Sequence, residues 1–382
     1  MSNHQTQSTT PNKRLAIYYP CFMGGGAEAV GLWILEALKN DYDLTLYTFA
    51  DLDFEQLNLM YDTQLSKSII KVNSLYPASF RQLLYFLYSN NKYFRQFAFH
   101  SLLRKLKQEV NQYDLAISGY NAVDLGGKGI QYVHWVKVVE GDQGSKIFFP
   151  LSNFSLENLK NNVTIANSYI VADAVEKTYG IPAKVIYPPV IIKVSELPWE
   201  KKENAFICSG RLVEAKEPHK VIKILQAVRE KGFEIKLHLT GGGGGVAKWE
   251  YKNFVKKLIE KNSSWVTLHE NLSYQDYTKL LETCKYGIHY KQEPFGIVIA
   301  EMVKAGAIPF VRNKGGQVEI VGEDNQELLF SNEKDAVEKI IKILSDPLQQ
   351  QKTLESLKNQ KQLFSTEQFM QEISKFVTNY FS

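Results

Sequence analysis

One order of elements occurs twice in this chain: strand, glycine-rich turn, helix, strand. Residues 15–19 read as a short buried strand, followed by Gly24-Gly25-Gly26. Residues 27–39 have helical spacing, with Val30, Ile34 and Leu38 near one face. Strands are predicted at 44–49, 114–118 and 129–134. This is the opening of a doubly wound α/β sheet. After Pro188-Pro189 the pattern restarts. A strand at 205–208 leads into Gly210-Arg211, and a helix is predicted over 220–231. The segment 234–240 alternates Ile235, Leu237 and Leu239 with polar residues, as a strand does, and five glycines follow, Gly241 to Gly245. Further strands are predicted at 265–269, 287–290 and 307–311. Ser273 and Asp276 have capping-box spacing for a helix running to about Cys284, and 295–304 reads as a helix closed by Gly306.

A chain of 382 residues exceeds what one compact core usually holds. The expected division is a disordered tail at 1–13, an N-terminal domain at 14–195 and a C-terminal domain at 196–365. A last helix, 366–382, is expected to fold back onto the first domain. The net charge of +4 is too small for a nucleic-acid-binding protein of this length. Three widely spaced cysteines form neither a disulfide framework nor a zinc spacing. No apolar run is long enough to span a bilayer, so a cytoplasmic protein is expected.

The segment Glu293-Pro294-Phe295-Gly296-Ile297-Val298-Ile299-Ala300-Glu301 places two carboxylates eight positions apart. The first is predicted in a strand-to-helix loop and the second about two turns inside the helix. The amides of Phe295, Gly296 and Ile297 would point out of the helix start, a setting that suits a diphosphate. Carboxylates accept hydrogen bonds from sugar or ribose hydroxyls. Taken alone, the pair reads rather as an amphipathic helix with solvated acids, and it is the surrounding segments that favour a ligand site. Arg211 and Lys216 sit just past a strand's C-terminal end, where open sheets bind ligands. A guanidinium forks onto phosphate and an ammonium offers a point charge, so together they suit a departing diphosphate; a solvated loop is the alternative.

Gly241 and Gly242 open a run that is either a flexible turn or a ligand loop. It lacks the Gly-Lys-Ser/Thr ending of a Walker loop. Gly24-Gly25-Gly26-Ala27-Glu28 lacks the spacing of a dinucleotide fingerprint, and no acid ends the second strand, so NAD binding is a poor fit. His134 ends a predicted strand, either contacting a sugar or packed. Asp41-Tyr42-Asp43 and Asp51-Leu52-Asp53 look like solvated turns rather than a metal site.

In this order, these elements resemble glycosyltransferase family 4, the retaining family with the GT-B fold, over residues 15 to 325. The resemblance is carried by Gly25-Gly26-Ala27-Glu28, Tyr132-Val133-His134, Ala166-Asn167-Ser168, Tyr179-Gly180 and the Val185 to Val190 segment. In the second half it is carried by Ser209-Gly210-Arg211-Leu212 with Lys216, Leu239 to Gly243, Glu293 to Glu301, and Gly315-Gly316-Gln317-Val318-Glu319-Ile320-Val321. It implies two Rossmann-like domains facing across a cleft and a nucleoside-diphosphate sugar as co-substrate. On that resemblance Arg211 and Lys216 bind the diphosphate. Glu293 and the amides after it hold the donor sugar, and Glu301 holds the ribose. Gly25 and Gly26 let the backbone approach the phosphates, and His134 lines the sugar site. Neither a metal nor a further cofactor is expected.

Two positions depart from the family pattern. His289-Tyr290-Lys291-Gln292 stands where many members have Pro-Ser, and Glu217 stands where a glycine commonly follows the lysine. The base is GDP or UDP on this reading, with GDP-mannose suggested by the Tyr-Val-His and Gly-Gly-Ala-Glu segments. The acceptor is a glycan or a lipid-linked glycan. Residues 63–108 contain no Asp or Glu but many cations and aromatics. They suit either peripheral contact with the inner face of an anionic membrane or a domain whose aromatics are core. The alternatives are a non-catalytic sugar-nucleotide or glycan-binding protein, and a sugar-nucleotide epimerase on the same fold.

Overall fold

The computed structural model describes residues 12–241 and 249–382, with only the backbone of Trp249. Gly242 and the glycines after it, and nearly all of the expected tail, lie outside the described residues. Among the described residues, thirteen strands build two sheets. The first sheet contains β1 (Arg14–Tyr18), β2 (Asp43–Ala50), β3 (Ile70–Tyr76), β4 (Leu115–Ser118), β5 (Ile130–Val133), β6 (Val163–Ala166) and β7 (Ala183–Val185). Its order is β3-β2-β1-β4-β5-β6-β7. The second contains β8 (Glu203–Ser209), β9 (Lys236–Thr240), β10 (Val266–His269), β11 (Cys284–His289), β12 (Ile308–Arg312) and β13 (Leu329–Phe330), in the order β10-β9-β8-β11-β12-β13. Each order reverses direction once, between β1 and β4 and between β8 and β11. Both sheets are therefore doubly wound.

Contacts divide the chain into two units. One contains residues 1–165, 179–181 and 373–382; the other contains 166–178 and 182–372. The residues just after Pro188-Pro189 thus sit inside the second unit rather than at a boundary. The helix Thr366–Tyr380 gives its second half to the first unit. There, Ser374 Oγ donates to Ala37 O at 3.0 Å and the Tyr380 hydroxyl donates to Lys128 O at 3.0 Å.

The central strands are continuous apolar runs because helices cover both faces of a parallel sheet. Leu15, Ala16, Ile17 and Tyr18 of β1 are fully buried. In the second unit, Phe206 of β8 stacks on Tyr286 of β11 with ring centroids 4.9 Å apart. The helix Pro218–Glu230 closes that core with Val221, Ile222, Leu225 and Val228. Each such side chain contributes about 1.5–3 kcal/mol by leaving water.

Residues 63–108 fold as β3 and the helices Arg81–Asn90 and Lys92–Glu109. Their aromatics divide between the two roles. Tyr88 and Phe99 are core, whereas Phe80, Phe86 and Tyr93 are exposed, as is Leu83. The Asp-x-Asp carboxylates at 51 and 53 serve the backbone: Asp51 accepts from Leu52 N, and Asp53 caps the helix Phe54–Tyr61 through Glu55 N.

One helix start differs from expectation. The helix after β11 runs Ile297–Lys304, not from Phe295. Phe295 is buried against Tyr187 and Phe364. Gly296 then turns the chain at φ +111°, a conformation that L side chains disfavour. Glu301 consequently lies little more than one turn into the helix.

Candidate functional site

At the reversal between β8 and β11, two loops leave the C-terminal ends of neighbouring strands, the place where open α/β sheets bind ligands. After β8, Gly210 passes close to Gly241. Gly210 N donates to Thr240 O at 2.9 Å, and a Cβ on Gly241 would lie 2.0 Å from Gly210 O. Gly241 is needed for this backbone contact. Arg211 is exposed, while Leu212 and Val213 anchor the loop in the core. A single 3-10 turn, Glu214–Lys216, brings Lys216 toward β11. Glu217 follows with φ +52°, a left-handed conformation. This is the position where the family resemblance led us to expect glycine.

Lys216 Nζ lies 2.5 Å from Glu293 Oε1, and His289 Nε2 lies 3.1 Å from the same oxygen. Burial pushes the Glu293 carboxyl up. The His289 hydrogen bond and the Lys216 charge outweigh it and hold the group down to about 2.

The loop that carries Glu293 is braced from distant sequence. Gln317, fully buried, accepts from Glu293 N at 2.8 Å and donates to Lys291 O and Arg312 O. Gly316 N donates to Glu293 O at 3.0 Å. A Cβ on Gly315 would lie 2.4 Å from Glu293 O, and one on Gly316 would lie 2.2 Å from Pro294 O. Ser168 Oγ donates to Pro294 O at 2.7 Å. Glu319 accepts from the amides of Tyr169 and Ile170 at the start of the helix Tyr169–Tyr179, where a carboxylate meets the positive end of the dipole. The motif segments around residues 166–168 and 315–319 therefore act by holding the loop.

Glu301 is buried, and its Oε2 accepts from the Tyr277 hydroxyl at 2.8 Å. Burial pushes its carboxyl up to about 7 against the opposing effects of Tyr277 and the Lys304 charge. The structure thus joins Lys216, His289 and Glu293 in one contact, and places Arg211 at the start of the same β8 loop. Ile297 and Val298 stand in the first turn of the following helix, where backbone amides have no intrahelical partner.

In the first unit, Gly25 and Gly26 follow β1, beside that sheet's own reversal. A Cβ on Gly25 would meet nothing within 4 Å, so packing does not require its glycine. Glu28 holds the turn: it accepts from Met23 N and from Gly24 N at 2.8 Å, and from the Tyr61 hydroxyl at 3.2 Å. Tyr61 also takes the Gly25 amide at 2.8 Å. His134, just after β5, is partly buried with Nε2 3.1 Å from Gly119 O. Burial pushes its imidazole down to about 4, so it is neutral near pH 7. The sequence reading missed His289, Tyr277, Gln317 and Tyr61 as functional residues. His289 left a signal as the departure from the family pattern four residues before Glu293, and Gln317 as a member of the Gly315 to Val321 segment.

The architecture defines a class. It matches solved structures of the GT-B type, among them HepE from Anabaena in complex with UDP and glucose. That match has a TM-score of 0.70 and 17% identity, covering 96% of this chain and 100% of that one. Sucrose-phosphate synthase from Thermosynechococcus elongatus gives 0.67 and 15%, covering 97% and 99%. WaaG, a glycosyltransferase involved in lipopolysaccharide biosynthesis, gives 0.67 and 14%, covering 95% and 99%. At these identities the likeness is one of fold.

The sequence narrows the class further. Residues 192–363 match the family model for glycosyl transferases group 1. The matched span contains Arg211, Lys216, Glu293 and Glu301. The chain is also 25% identical over 252 residues to the GDP-Man:Man(3)GlcNAc(2)-PP-Dol alpha-1,2-mannosyltransferase of Dictyostelium discoideum. That alignment covers 61% of this chain and 49% of the relative, so the chain spans about half the length of the curated relative it matches.

Proposed function

We propose that the protein is a retaining, metal-independent glycosyltransferase of family 4 that moves a hexose from a nucleoside-diphosphate sugar to a glycan or lipid-linked acceptor. The observation that carries this reading is the Lys216–Glu293 pair at the β8/β11 reversal, inside the span that matches the family model. The diphosphate takes Lys216 and Arg211, whose charge, with the amides at the start of helix Ile297–Lys304, stabilises the leaving group. Glu293 then accepts from donor-sugar hydroxyls and Glu301 from the ribose.

The relative's GDP-mannose chemistry favours a mannosyl donor and a lipid-linked acceptor. The UDP and glucose held by HepE favour the alternative, UDP-glucose. A thermal-shift and turnover screen against UDP-, GDP- and ADP-sugars decides between them, because a ligand that binds only the native state raises its stability. Turnover that survives EDTA is expected. Stabilisation without turnover would point to a binding protein, and an isomerised donor to an epimerase.

Peripheral membrane contact is part of the proposal. Phe80, Leu83 and Phe86 are exposed at three-residue spacing on and just before the helix Arg81–Asn90. Among the described residues no helix is long and apolar enough to cross a membrane. Flotation with anionic liposomes is the test; a protein that stays at the bottom of the gradient removes this part.

A further inference from the structure

We infer that His289 is a positioning residue that keeps Glu293 in place when a nucleoside diphosphate draws Lys216 away. The inference rests on the Lys216–Glu293 pair being part of a nucleotide-sugar site. Two donors share one oxygen of Glu293, and they differ in how they are held. Lys216 reaches it from a surface loop on a long, flexible stem, with a quarter of its side chain exposed. His289 reaches it from the last position of β11, where the strand pairs His289 with Val311. Its ring is buried.

A phosphate competes directly for an ammonium, which is a mobile point charge. It has no such access to the buried imidazole. On diphosphate binding, Lys216 therefore exchanges partners and His289 does not. The Glu293 backbone is meanwhile fixed by Gln317 and Gly316. The carboxylate thus keeps one donor on Oε1 and leaves its other oxygen to accept a sugar hydroxyl. His289 Nδ1 is buried with no hydrogen-bond partner among the described residues. Nε2 is therefore the ring nitrogen that serves Glu293, as the donor to a carboxylate oxygen.

The test uses the full chain with His289→Phe and His289→Gln. Phenylalanine fills the space without a donor, and glutamine restores an N–H at a similar reach. Two quantities are read: turnover of the nucleotide sugar that the wild type accepts, and affinity for the corresponding free nucleoside diphosphate. His289→Phe is expected to lower kcat by about tenfold to hundredfold, as misplacement of a substrate-holding group does. Diphosphate affinity should be unchanged, and His289→Gln should recover most of the turnover. Wild-type kcat in His289→Phe overturns the inference. A parallel loss of diphosphate affinity also overturns it, because the histidine would then be merely structural. A wild type that turns over no UDP-, GDP- or ADP-sugar sinks the site reading itself, and the inference falls with it.

Discussion

Lys216 and Glu293 touch across the point where the second sheet reverses its strand order, at 2.5 Å, although 77 positions separate them in sequence. Replacing Lys216 with Ala should lower turnover by about a hundredfold or more, the scale for a group that stabilises developing charge. It should leave circular dichroism unchanged. Steady-state kinetics on the purified variant checks both; near-normal turnover removes the lysine from the mechanism.

The same pair sets an acid limit. Glu293 is held down to about 2 in the folded chain against an ordinary value of 4.5. Its contribution to stability is therefore present above about pH 4.5 and lost as pH falls toward 2. Urea midpoints measured from pH 6 to pH 3 should drop less steeply in Glu293→Gln than in the wild type.

Glu301 behaves in the opposite way. With its carboxyl pushed up to about 7, it contributes stability fully below pH 4.5 and loses that contribution as pH rises through 7. Accepting from a ribose requires no proton on the acid, so donor affinity should rise with pH between 6 and 8. Calorimetric titration of the nucleotide should show this slope in the wild type and a flat response in Glu301→Gln.

Glu217 occupies a left-handed conformation that costs an L residue about 1–2 kcal/mol. Glu217→Gly relieves that strain. It loses an ion pair with Lys220 at 2.8 Å and gains unfolded-chain entropy, so the net stabilisation should be about 0.5–1 kcal/mol. A rise in the urea midpoint without a change in slope is the expected result.

Gly316→Ala places a methyl 2.2 Å from Pro294 O, against backbone rather than a movable side chain. A cost of about 1–3 kcal/mol is expected, together with a displaced Glu293 loop and lost turnover. A crystal structure of the variant with the loop in its present position would contradict this.

Much of this architecture was legible in sequence because local chemistry and tertiary setting agree. The buried strands are unbroken apolar runs, and Ser273 caps its helix through the amide of Asp276 as the spacing foretold. β3 escaped because Lys71, Asn73 and Ser74 interrupt its apolar pattern at a half-buried position in the sheet. The helix containing Glu301 was placed two residues early because nothing local shows that Phe295 is recruited to the core. The two carboxylates and Lys216 stand out as charged groups beside glycines. Ser168 and Gln317 lie in segments that carry the family resemblance, but their bracing of the Glu293 loop is not legible locally because they act from 126 and 24 positions away.

The bracing of Pro294 by Ser168 also limits how this chain can be divided. The segment 166–178 precedes the proline pair yet belongs with the second unit. An excised piece starting at 182 would take the Ser168 hydroxyl from the Pro294 carbonyl and the Tyr169 and Ile170 amides from the Glu319 carboxylate. Modular exchange of this half, whether by recombination or by engineering, therefore has to transfer two separate stretches of polypeptide together.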